Sequence, residues 1–418
     1  MCEEHFTNSV THDDAGRFRV RLPLWQDGEL GDSLATASQN FGYMERRLLR
    51  NPDLKNEYVK FMDEYLRLGH MELIDPTDQH RSCYYMPHHA VVKNTSSTTK
   101  VRVVFNTLAK TTSSLSLNDL MMVGPTIQQD MFSIVLRFHT HRYALTADVE
   151  KMYRQIQVHE DDGDLQRIVW RSHPSQRLET YCLTTVTYGT AAAPFLATRC
   201  LLQVVLDSQR TQPTAAEVIK NDFYVDDLLT GTDAVSEAIQ LCDDVTSLLK
   251  SGGFPIQKWR SNSLDILEAI PATLQETQGP CNLPLDEGAV KTLGLHWYPS
   301  SDLFQFSVVD SRHKNVTWTK RMVLANVASI YDLLGLLGPV IIQCKLFIQT
   351  LWQRQLDWDS RLPSELATRW EEIHQRLPDL NRISIPRRIT ADCTSITDFM
   401  ALPVPQKEPT GRVSIYVP

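Results

Sequence analysis

The sequence reads Phe223-Tyr-Val-Asp-Asp-Leu-Leu229 just past its midpoint. Aromatic and branched apolar residues flank two adjacent acids, a pattern typical of a tight hairpin with the acids at its tip. Asp-Asp also occurs at ordinary surface turns, because Asp tolerates turn conformations. The apolar residues on both sides favour a hairpin with a functional role over an ordinary surface turn. An upstream acid in a similar apolar setting, Asp148, strengthens that interpretation.

The segments around this hairpin predict a small unit of helices and strands. Small and apolar residues in Tyr143-Ala-Leu-Thr-Ala-Asp-Val149 predict a buried strand with Asp148 near its end. The other predicted elements are a helix over 194–209, a helix over 235–249 capped by Thr232 or Asp233 and closed by Gly252 and Gly253, and a strand over 254–259. The order strand, helix, hairpin, helix, strand predicts a split βαβ arrangement, in which helices cover one face of an antiparallel sheet.

Three carboxylates, those of Asp148, Asp226 and Asp227, have apolar neighbours in this prediction. Adjacent acids in an apolar strand repel each other and lose hydration, so the fold must compensate their charge. Mg²⁺ does so well, since it binds carboxylate oxygens together with substrate phosphates. Two such ions activate an attacking hydroxyl and stabilise a leaving oxygen. The acids therefore indicate phosphoryl-transfer chemistry.

The charge of the chain is unevenly distributed. The 418 residues include 42 Lys and Arg against 50 Asp and Glu, a net charge of −8, so no overall basic field points to a nucleic-acid partner. Two stretches without acids, 81–118 and 311–331, supply local basic patches instead. Any nucleic-acid partner must be held by such patches.

Composition and cysteine spacing exclude several classes of protein. The hydrophobic fraction of 42% and charged fraction of 22% are those of a globular protein, and the length allows two to four units. The eight cysteines form no C-x-x-C pair, which excludes a zinc knuckle or thioredoxin-type site, and we expect reduced thiols. No secretory signal and no run long enough for a membrane span is present, so we expect no membrane partner.

The sequence from about residue 16 to residue 388 resembles the reverse transcriptase region of the BEL/Pao group of LTR retrotransposons. The blocks that carry the resemblance are GRFRVRLP, MERRL, EYLRLGHME, YYMPHHAVVK, TKVRVVFN, SLNDL, VGP, ALTADVEKMYRQIQV, TVTYGTAAAP, DFYVDDLL, GGFPIQKW, KTLGLHW and YDLLGLLGP. The resemblance implies an α+β right-hand polymerase with a ferredoxin-like (split βαβ) palm, mixed fingers and a largely helical C-terminal thumb and connection.

The resemblance also implies a function. It is RNA-directed DNA synthesis, in which a nucleotidyl group passes from a dNTP to a primer 3′-hydroxyl with two Mg²⁺ ions, for which Mn²⁺ can substitute. The implied partners are an RNA or DNA template with its primer and dNTPs, and the implied location is cytoplasmic retroelement particles or the nucleus. The sequence does not indicate an oligomeric state.

Site residues follow from the resemblance, position by position. The metal ligands are Asp148, Asp226, the more weakly held Asp227 and the backbone carbonyl of Val149. The nucleotide-binding residues are Arg102, Lys93, Lys100 and Tyr153. The primer grip contains Leu293, Gly294, His296 and Trp297. Lys258 corresponds to the lysine that protonates the leaving pyrophosphate.

Two of these roles have a clear chemical reason. Arg102 suits the triphosphate because its planar fork binds phosphate bidentately. Tyr153, five residues past Asp148, corresponds to the ring that lies under the nucleotide sugar and clashes with a 2′-hydroxyl. The alternatives are that Arg102 solvates an exposed strand and that Tyr153 is a core residue. The alternative for Lys258 is likewise a structural role without part in catalysis.

Some other residues resemble metal-binding or base-stacking sites but are more simply explained by structural roles. His88 and His89 look like a metal pair, but no Cys or acid stands at ligand spacing, so we expect a structural role in the fingers. We expect the tryptophans of the C-terminal third to pack in the core and thumb, with stacking on template bases as the alternative. They are Trp297, Trp318, Trp352 and Trp358.

The predicted domain organisation has four parts. They are an N-terminal extension with the start of the fingers (1–80), reverse transcriptase fingers and palm (81–270), primer grip, thumb and connection (271–390) and a truncated tail with an incomplete RNase H (391–418). Asp398 is the only candidate for a first RNase H acid, and 20 residues follow it. The segment from Trp318 to Pro386 resembles a region classified as Pao peptidase-like, but we see no catalytic dyad there and interpret it as thumb and connection.

Departures from the family pattern leave two further functions open. The fingers block ends in Asn106 where an acid is usual, and neither Asp-Thr-Gly nor Asp-Ser-Gly occurs. The first alternative is a catalytically silent, truncated or host-retained remnant that binds nucleic acid through its basic patches. The second, weaker alternative is an aspartic peptidase-like protein.

Overall fold

The computed structural model describes residues 1–25, 28–74, 83–92, 101–276, 281–282, 295–306, 308, 317–330 and 332–389. The helices are α1 (Cys2–Ser9), α2 (Leu34–Arg50), α3 (Pro52–Arg67), α4 (Leu117–Leu120), α5 (Met131–Phe138), α6 (Met152–Gln155), α7 (Glu160–Gly163), α8 (Ala193–Ser208), α9 (Pro213–Asn221), α10 (Val235–Ser251), α11 (Leu264–Ala269), α12 (Lys320–Ala328), α13 (Gly338–Gln353) and α14 (Ser364–Arg376). The strands are β1 (Thr11–His12), β2 (Phe18–Val20), β3 (Met71–Leu73), β4 (His88–Val92), β5 (Val101–Phe105), β6 (Tyr143–Val149), β7 (Gln157–Val158), β8 (Arg167–Trp170), β9 (Glu179–Leu183), β10 (Phe223–Tyr224), β11 (Asp227–Thr232), β12 (Ile256–Ser261), β13 (Cys281–Asn282), β14 (Leu295–Tyr298), β15 (Leu303–Phe306) and β16 (Ser384–Pro386). Short 3-10 helices span Asp164–Gln166, Ala272–Leu274 and Leu377–Arg382.

The central sheet has the strand order β10-β11-β6-β12, and all its pairs are antiparallel. In chain order these are the second, third, first and fourth strands of the unit, with α8 and α9 after the first strand and α10 after the third. This is the split βαβ topology. The predicted palm is therefore confirmed, including the hairpin formed by β10 and β11.

Residues of β6 alternate between two cores, as the period of a strand requires. Leu145, Ala147 and Val149 belong to the core under α8 and α10, whereas Ala144 belongs to a second core. Asp148 lies on the same face as Ala144, because the two are four positions apart along the strand. Helix α5 covers this second face farther along the sheet, and the end that carries Asp148 is left partly open.

The start of α10 differs from the prediction. The helix begins at Val235 with Ala234 as its N-cap and without a side-chain capping bond. Thr232 instead donates its hydroxyl to the Ala234 carbonyl at 2.9 Å, and Asp233 accepts a bond from the Arg142 N–H at 3.3 Å. Thr232 thus bonds to the carbonyl of the N-cap residue and Asp233 to the backbone just before β6, so neither side chain accepts a hydrogen bond from an N–H of the first helical turn.

The fingers contain the hairpin β4–β5, the sheet β3-β9-β8 and helices α2 and α3. His88 is buried among aromatic rings, accepts a hydrogen bond from the Tyr58 hydroxyl at Nδ1 and donates one from Nε2 to the Val169 carbonyl at 2.9 Å. Burial lowers the pKa of His88 to about 4, so the ring is neutral and fully hydrogen-bonded. His88 therefore has the structural role that we expected, while His89 is exposed.

The C-terminal segment shares a core with the palm. Phe138 of α5 contacts Trp297 edge-on at 5.1 Å, and helices α12, α13 and α14 bring Phe347 and Trp370 into the same cluster. Trp297 and Trp318 are buried, as predicted. Trp352 and Trp358 are not core residues, because they are 49% and 39% exposed. Their rings surround the Lys320 ammonium, at 3.5 and 5.1 Å from the ring centroids.

A buried ion pair joins this segment to the palm. Arg387 is fully buried and donates to both carboxylate oxygens of Asp302 at 2.6 and 2.8 Å. It also donates to the carbonyls of Phe138 at 2.5 Å and His141 at 2.8 Å. Asp302 accepts a further bond from the Trp297 indole at 2.9 Å. One guanidinium therefore connects the end of α5, the β14–β15 turn and the chain after β16.

In the described part of the chain, no helix has the length and apolar character to cross a bilayer.

Candidate active site

The three predicted acids meet at one end of the central sheet. Asp227 pairs directly with Asp148 in the β11–β6 register, and directly opposed residues of antiparallel strands project to the same face. Asp226 lies in the turn before Asp227, where its carbonyl accepts the Val149 N–H at 2.8 Å. The charge of Asp226 also acts on the Asp148 carboxyl. The fold therefore brings together acids that are almost eighty positions apart in the sequence.

The turn that carries Asp226 has an unusual backbone. Tyr224 pairs with Asp227, so the turn has two residues, and its first residue, Val225, has a φ of +55°. A branched side chain rarely adopts positive φ, and such residues cost about 1–3 kcal/mol and cluster at functional sites. Gln128 supports the turn by accepting the Val225 N–H at 3.0 Å. No sequence signal marked Gln128, which lies before α5.

Lys258 lies beside Asp148, with its ammonium nitrogen 3.3 Å from the Asp148 Oδ1. The residue has a φ of +58° within a bulge of β12, between Gln257 and Arg260. A bulge redirects a side chain that would otherwise follow the strand alternation. It accounts for the position of this ammonium group at the acidic cluster.

The electrostatics of the cluster are dominated by Asp148. Burial raises the pKa of Asp148 to about 6; the Lys258 ammonium opposes this shift, and the charges of Asp226 and Glu276 add to it. The negative charge is thus only partly compensated by the protein. Glu276, which pairs with Arg260 at 3.7 Å, is a contributor that sequence reasoning missed, because its proximity depends on how the chain folds back along β12.

The donor set fits a divalent cation. Carboxylate oxygens are the ligands that Mg²⁺ prefers, and the raised pKa of Asp148 indicates a site where added positive charge is favourable. Within the described ranges, no three His, Cys, Asp or Glu side chains already stand in a metal-binding arrangement. Mg²⁺ commonly uses one or two carboxylates and completes its shell with water and substrate phosphates.

Asp148→Asn is expected to stabilise the metal-free protein. Because the folded pKa lies above the ordinary value of 3.8, the folded state binds the proton more tightly than the unfolded state between pH 4 and 6. Stability is therefore lost as pH rises through this interval, by about 2 kcal/mol at pH 7. Urea unfolding in EDTA should show the variant more stable than the wild type at pH 7, with the difference gone near pH 3.5. A variant that is less stable at pH 7 would contradict this electrostatic account.

The predicted nucleotide-binding residues lie in different environments. Tyr153, in the short helix α6, is half-buried and packs against the main core. Arg102 is exposed on β5, and its guanidinium carbon lies 5.7 Å from the centroid of the Tyr188 ring. Lys93 and Lys100 lie outside the described residues. The structure thus leaves the roles of all four as predictions.

The predicted primer grip is described only in part. Leu293 and Gly294 lie outside the described residues, whereas His296 and Trp297 belong to strand β14. The Trp297 side chain is completely buried and donates to Asp302, so it supports the β14–β15 hairpin from inside, and the primer grip stays a prediction. Burial lowers the pKa of His296.

At the start of α6, an ion-pair group joins the fingers to the palm. Glu64 of α3 accepts bonds from Lys151 at 3.0 Å and from Arg154 at 3.2 Å. The Arg154 guanidinium also lies 4.8 Å from the centroid of the Tyr65 ring. Sequence reasoning did not single out this group, since its members come from separate elements.

Comparisons with known proteins agree with this geometry. Residues 91–268 match the family described as reverse transcriptase (RNA-dependent DNA polymerase), and residues 319–400 match the family described as Pao retrotransposon-like RNaseH-like domain. The second description differs from the peptidase-like label suggested by the sequence. The described part of that match contains helices α12, α13 and α14 and strand β16.

Two solved structures are similar to the chain. The first is the foamy viral protease-reverse transcriptase dRH in complex with ds DNA, with a TM-score of 0.49, 14% identity and coverage of 90% of this chain and 54% of that chain. The second is the foamy viral protease-reverse transcriptase in complex with an RNA/DNA hybrid, with the same TM-score and identity and coverage of 90% and 41%. The chain therefore spans about half the length of these proteins. A search of curated proteins finds no match.

The two family matches occur in the order that the sequence resemblance implied. The first includes the acids of the palm, and the second follows the β14–β15 hairpin. The palm of this chain thus lies within a match to the reverse transcriptase family, and a segment that matches the Pao retrotransposon-like RNaseH-like domain follows it.

Proposed function

We propose that the protein is an RNA-directed DNA polymerase that extends a primer with dNTPs by a two-metal mechanism. The observation that carries this proposal is the register of β6 and β11, which sets Asp148 opposite Asp227 with Asp226 at the intervening turn. The reverse transcriptase match over the same residues supports it. The partners are an RNA or DNA template with its primer, held in part by the basic stretches.

Asp148, Asp226 and the Val149 carbonyl would hold two Mg²⁺ ions, or Mn²⁺ in their place, with Asp227 as a weaker third acid. Bound metal would lower the pKa of the primer 3′-hydroxyl and neutralise charge on the leaving pyrophosphate. The strained turn at Val225 fixes the direction in which Asp226 projects. Fixed carboxylates need no reorganisation during the reaction, which favours electrostatic stabilisation.

Lys258 is suited to proton transfer. Its side chain is 39% exposed and its ammonium group lies next to Asp148, so it could reach both the acids and a substrate phosphate. In the proposed role, Nζ gives a proton to an oxygen of the departing pyrophosphate as the bond from that oxygen to the α-phosphorus breaks. Arg102, on the exposed face of β5, would bind the triphosphate through its guanidinium fork.

Tyr153→Ala is expected to relax sugar selection. If the ring lies under the sugar, its loss removes a steric clash with the 2′-hydroxyl, so ribonucleotide incorporation rises while deoxynucleotide incorporation falls modestly. If the ring is only a core residue, the variant loses about 3–5 kcal/mol of stability and both rates fall together. The two incorporation rates and a melting curve distinguish these outcomes. An unchanged ratio with a lowered Tm would exclude the sugar contact.

The proposed function is tested by extension of oligo(dT) on poly(rA) with Mg²⁺ or Mn²⁺. We expect incorporation of dTTP by the folded wild-type protein. No incorporation, in an assay where a known reverse transcriptase works alongside, would refute the proposal. Retained, salt-sensitive binding of the template–primer in that case would support a silent nucleic-acid-binding protein instead.

A further inference from the structure

Helix α13 is apolar on almost every side, but the fold covers only part of it. Its buried residues, Cys344, Phe347 and Leu351, pack into the core of the C-terminal segment. Ile342 and Leu346, one helical turn apart, lie outside that core and are 53% and 54% exposed. A helix that is apolar all round is normally buried all round. The apolar ridge formed by Ile342 and Leu346 therefore has no covering element within the described residues.

A groove lies beside this ridge, between α12 and α13. It has a volume of about 670 Å³ and is lined by Leu324 and Val327 of α12 and by Ile341 and Ile348 of α13. Ile342 of the ridge lines the groove as well. Ridge and groove thus form one continuous apolar surface. A contiguous apolar surface of this kind is typical of a site where another protein binds.

The groove also carries one residue of each charge. Asp332 and Lys345 line it, and neither side chain forms an ion pair with another residue that the structure describes. The Asp332 Oδ2 accepts the Leu337 N–H at 2.8 Å, whereas its Oδ1 is buried and has no hydrogen-bond donor. A buried carboxylate oxygen without a donor is unfavourable. The occupant of the groove is therefore expected to bring a donor to Asp332 and an acceptor to Lys345.

A second copy of this chain meets both requirements. In a two-fold interface the same surface is used twice, so the ridge of each copy enters the groove of the other. Lys345 of each copy then supplies the donor for Asp332 of the other copy. Nucleic acid suits the groove less well, because phosphates need a basic surface and the two charges of this groove cancel.

We propose that the α12–α13 groove and the apolar ridge form a two-fold interface between two copies of this chain. The interface lies in the segment that matches the Pao retrotransposon-like RNaseH-like domain. It uses none of the acids of the palm, so the proposal is independent of the proposed function. It also gives a role to the exposed side of α13, which the sequence analysis did not single out.

The first test is sedimentation of the full chain in EDTA without nucleic acid. We expect the mass to change from that of one chain to that of two chains as the concentration rises over about 0.1–100 μM. Leu346→Glu should weaken association at least tenfold, roughly the loss expected when a charge enters the apolar centre of an interface. The matched control is Leu206→Glu on α8, where Leu206 is 52% exposed, and its association should stay within about twofold of the wild type. A wild-type chain that stays single throughout, or an equal loss in the control, would overturn the proposal.

A double-mutant cycle tests the contact between Asp332 and Lys345. Asp332→Asn removes the charge but keeps an oxygen that can accept the Leu337 N–H. Asp332→Asn and Lys345→Met should each weaken association about fivefold, and the double variant should be no weaker than the weaker single variant. Losses that simply add, or no loss in either variant, would contradict the two-fold arrangement.

Amide exchange over 341–348 distinguishes a second copy from a segment of the same chain. In the two-copy arrangement, exchange in this range slows as the concentration rises, and Leu346→Glu abolishes the effect. Protection that is equal at all concentrations would show that the chain covers its own groove, and would overturn the proposal.

The same measurements separate this inference from the proposed function. Concentration-dependent pairing in a chain that extends no primer would refute the proposed function and support the interface. A single-chain polymerase that extends primers at every concentration would refute the interface alone.

Discussion

Asp226→Asn is expected to lower the rate of nucleotide incorporation by roughly 10³-fold or more while the protein stays folded and still binds primer–template. The substitution replaces a charged oxygen ligand by a neutral amide of nearly the same shape. The backbone carbonyl that accepts the Val149 N–H is unchanged, so the turn should persist. Single-nucleotide incorporation under single-turnover conditions measures the loss, and filter binding measures retained affinity.

The matched control is Asp265→Asn, which removes one negative charge from the exposed side of α11. We expect its incorporation rate to stay within about twofold of the wild type, because an exposed charge away from the site has little effect. An equal loss in both variants would mean that Asp226 acts through net charge. A loss of less than tenfold in Asp226→Asn would contradict its role as a metal ligand.

Arg387→Met is expected to lower the free energy of unfolding by about 3–5 kcal/mol, as when one partner of a buried ion pair is removed. The change leaves the Asp302 carboxylate without the two bonds from Arg387 and removes the donor to the Phe138 and His141 carbonyls. Urea denaturation measures the loss. The β14–β15 hairpin and the chain after β16 should lose amide protection together.

Two comparisons keep this prediction specific. Arg321→Met breaks an ion pair with Asp359 whose side chains are 61% and 73% exposed, and should leave the urea midpoint almost unchanged. The double variant Arg387→Met with Asp302→Asn should be less destabilised than Arg387→Met alone, since the half-buried carboxylate left without its partner is removed and Asn tolerates the φ of +50° at this position. A loss below 1 kcal/mol for Arg387→Met would contradict the structural role of the pair.

Local patterns in the sequence were sufficient to predict the palm. The run of small and apolar residues in β6, the helical stripe of α10 and the apolar residues around the paired acids each depend only on nearby positions in the sequence. The order of these elements then determines the topology. The acids of the site were therefore predictable, since they lie at the ends of these elements. The α10 cap was not, because Thr232 bonds to the Ala234 carbonyl and Asp233 to the Arg142 N–H instead.

Contacts between distant segments could not be predicted in this way. The bulge that directs Lys258 to Asp148, the support of Val225 by Gln128 and the pairing of Arg387 with Asp302 depend on segments brought together only by folding. The exposure of Trp352 and Trp358 was also unpredictable from local sequence, because their rings pack around the ammonium group of Lys320, which belongs to another helix, α12. Residue type alone favoured a core position for both.

The most direct test of the central claim is whether the template base decides which nucleotide the wild-type protein adds. A labelled DNA primer is annealed to four RNA templates that differ only in the first templating base, and each is mixed with Mg²⁺ and a single dNTP. We expect extension by one nucleotide only where the dNTP complements the template base, and no extension in EDTA. Absence of extension in all sixteen combinations, or extension that ignores the template base, would contradict the assignment of the protein as an RNA-directed DNA polymerase.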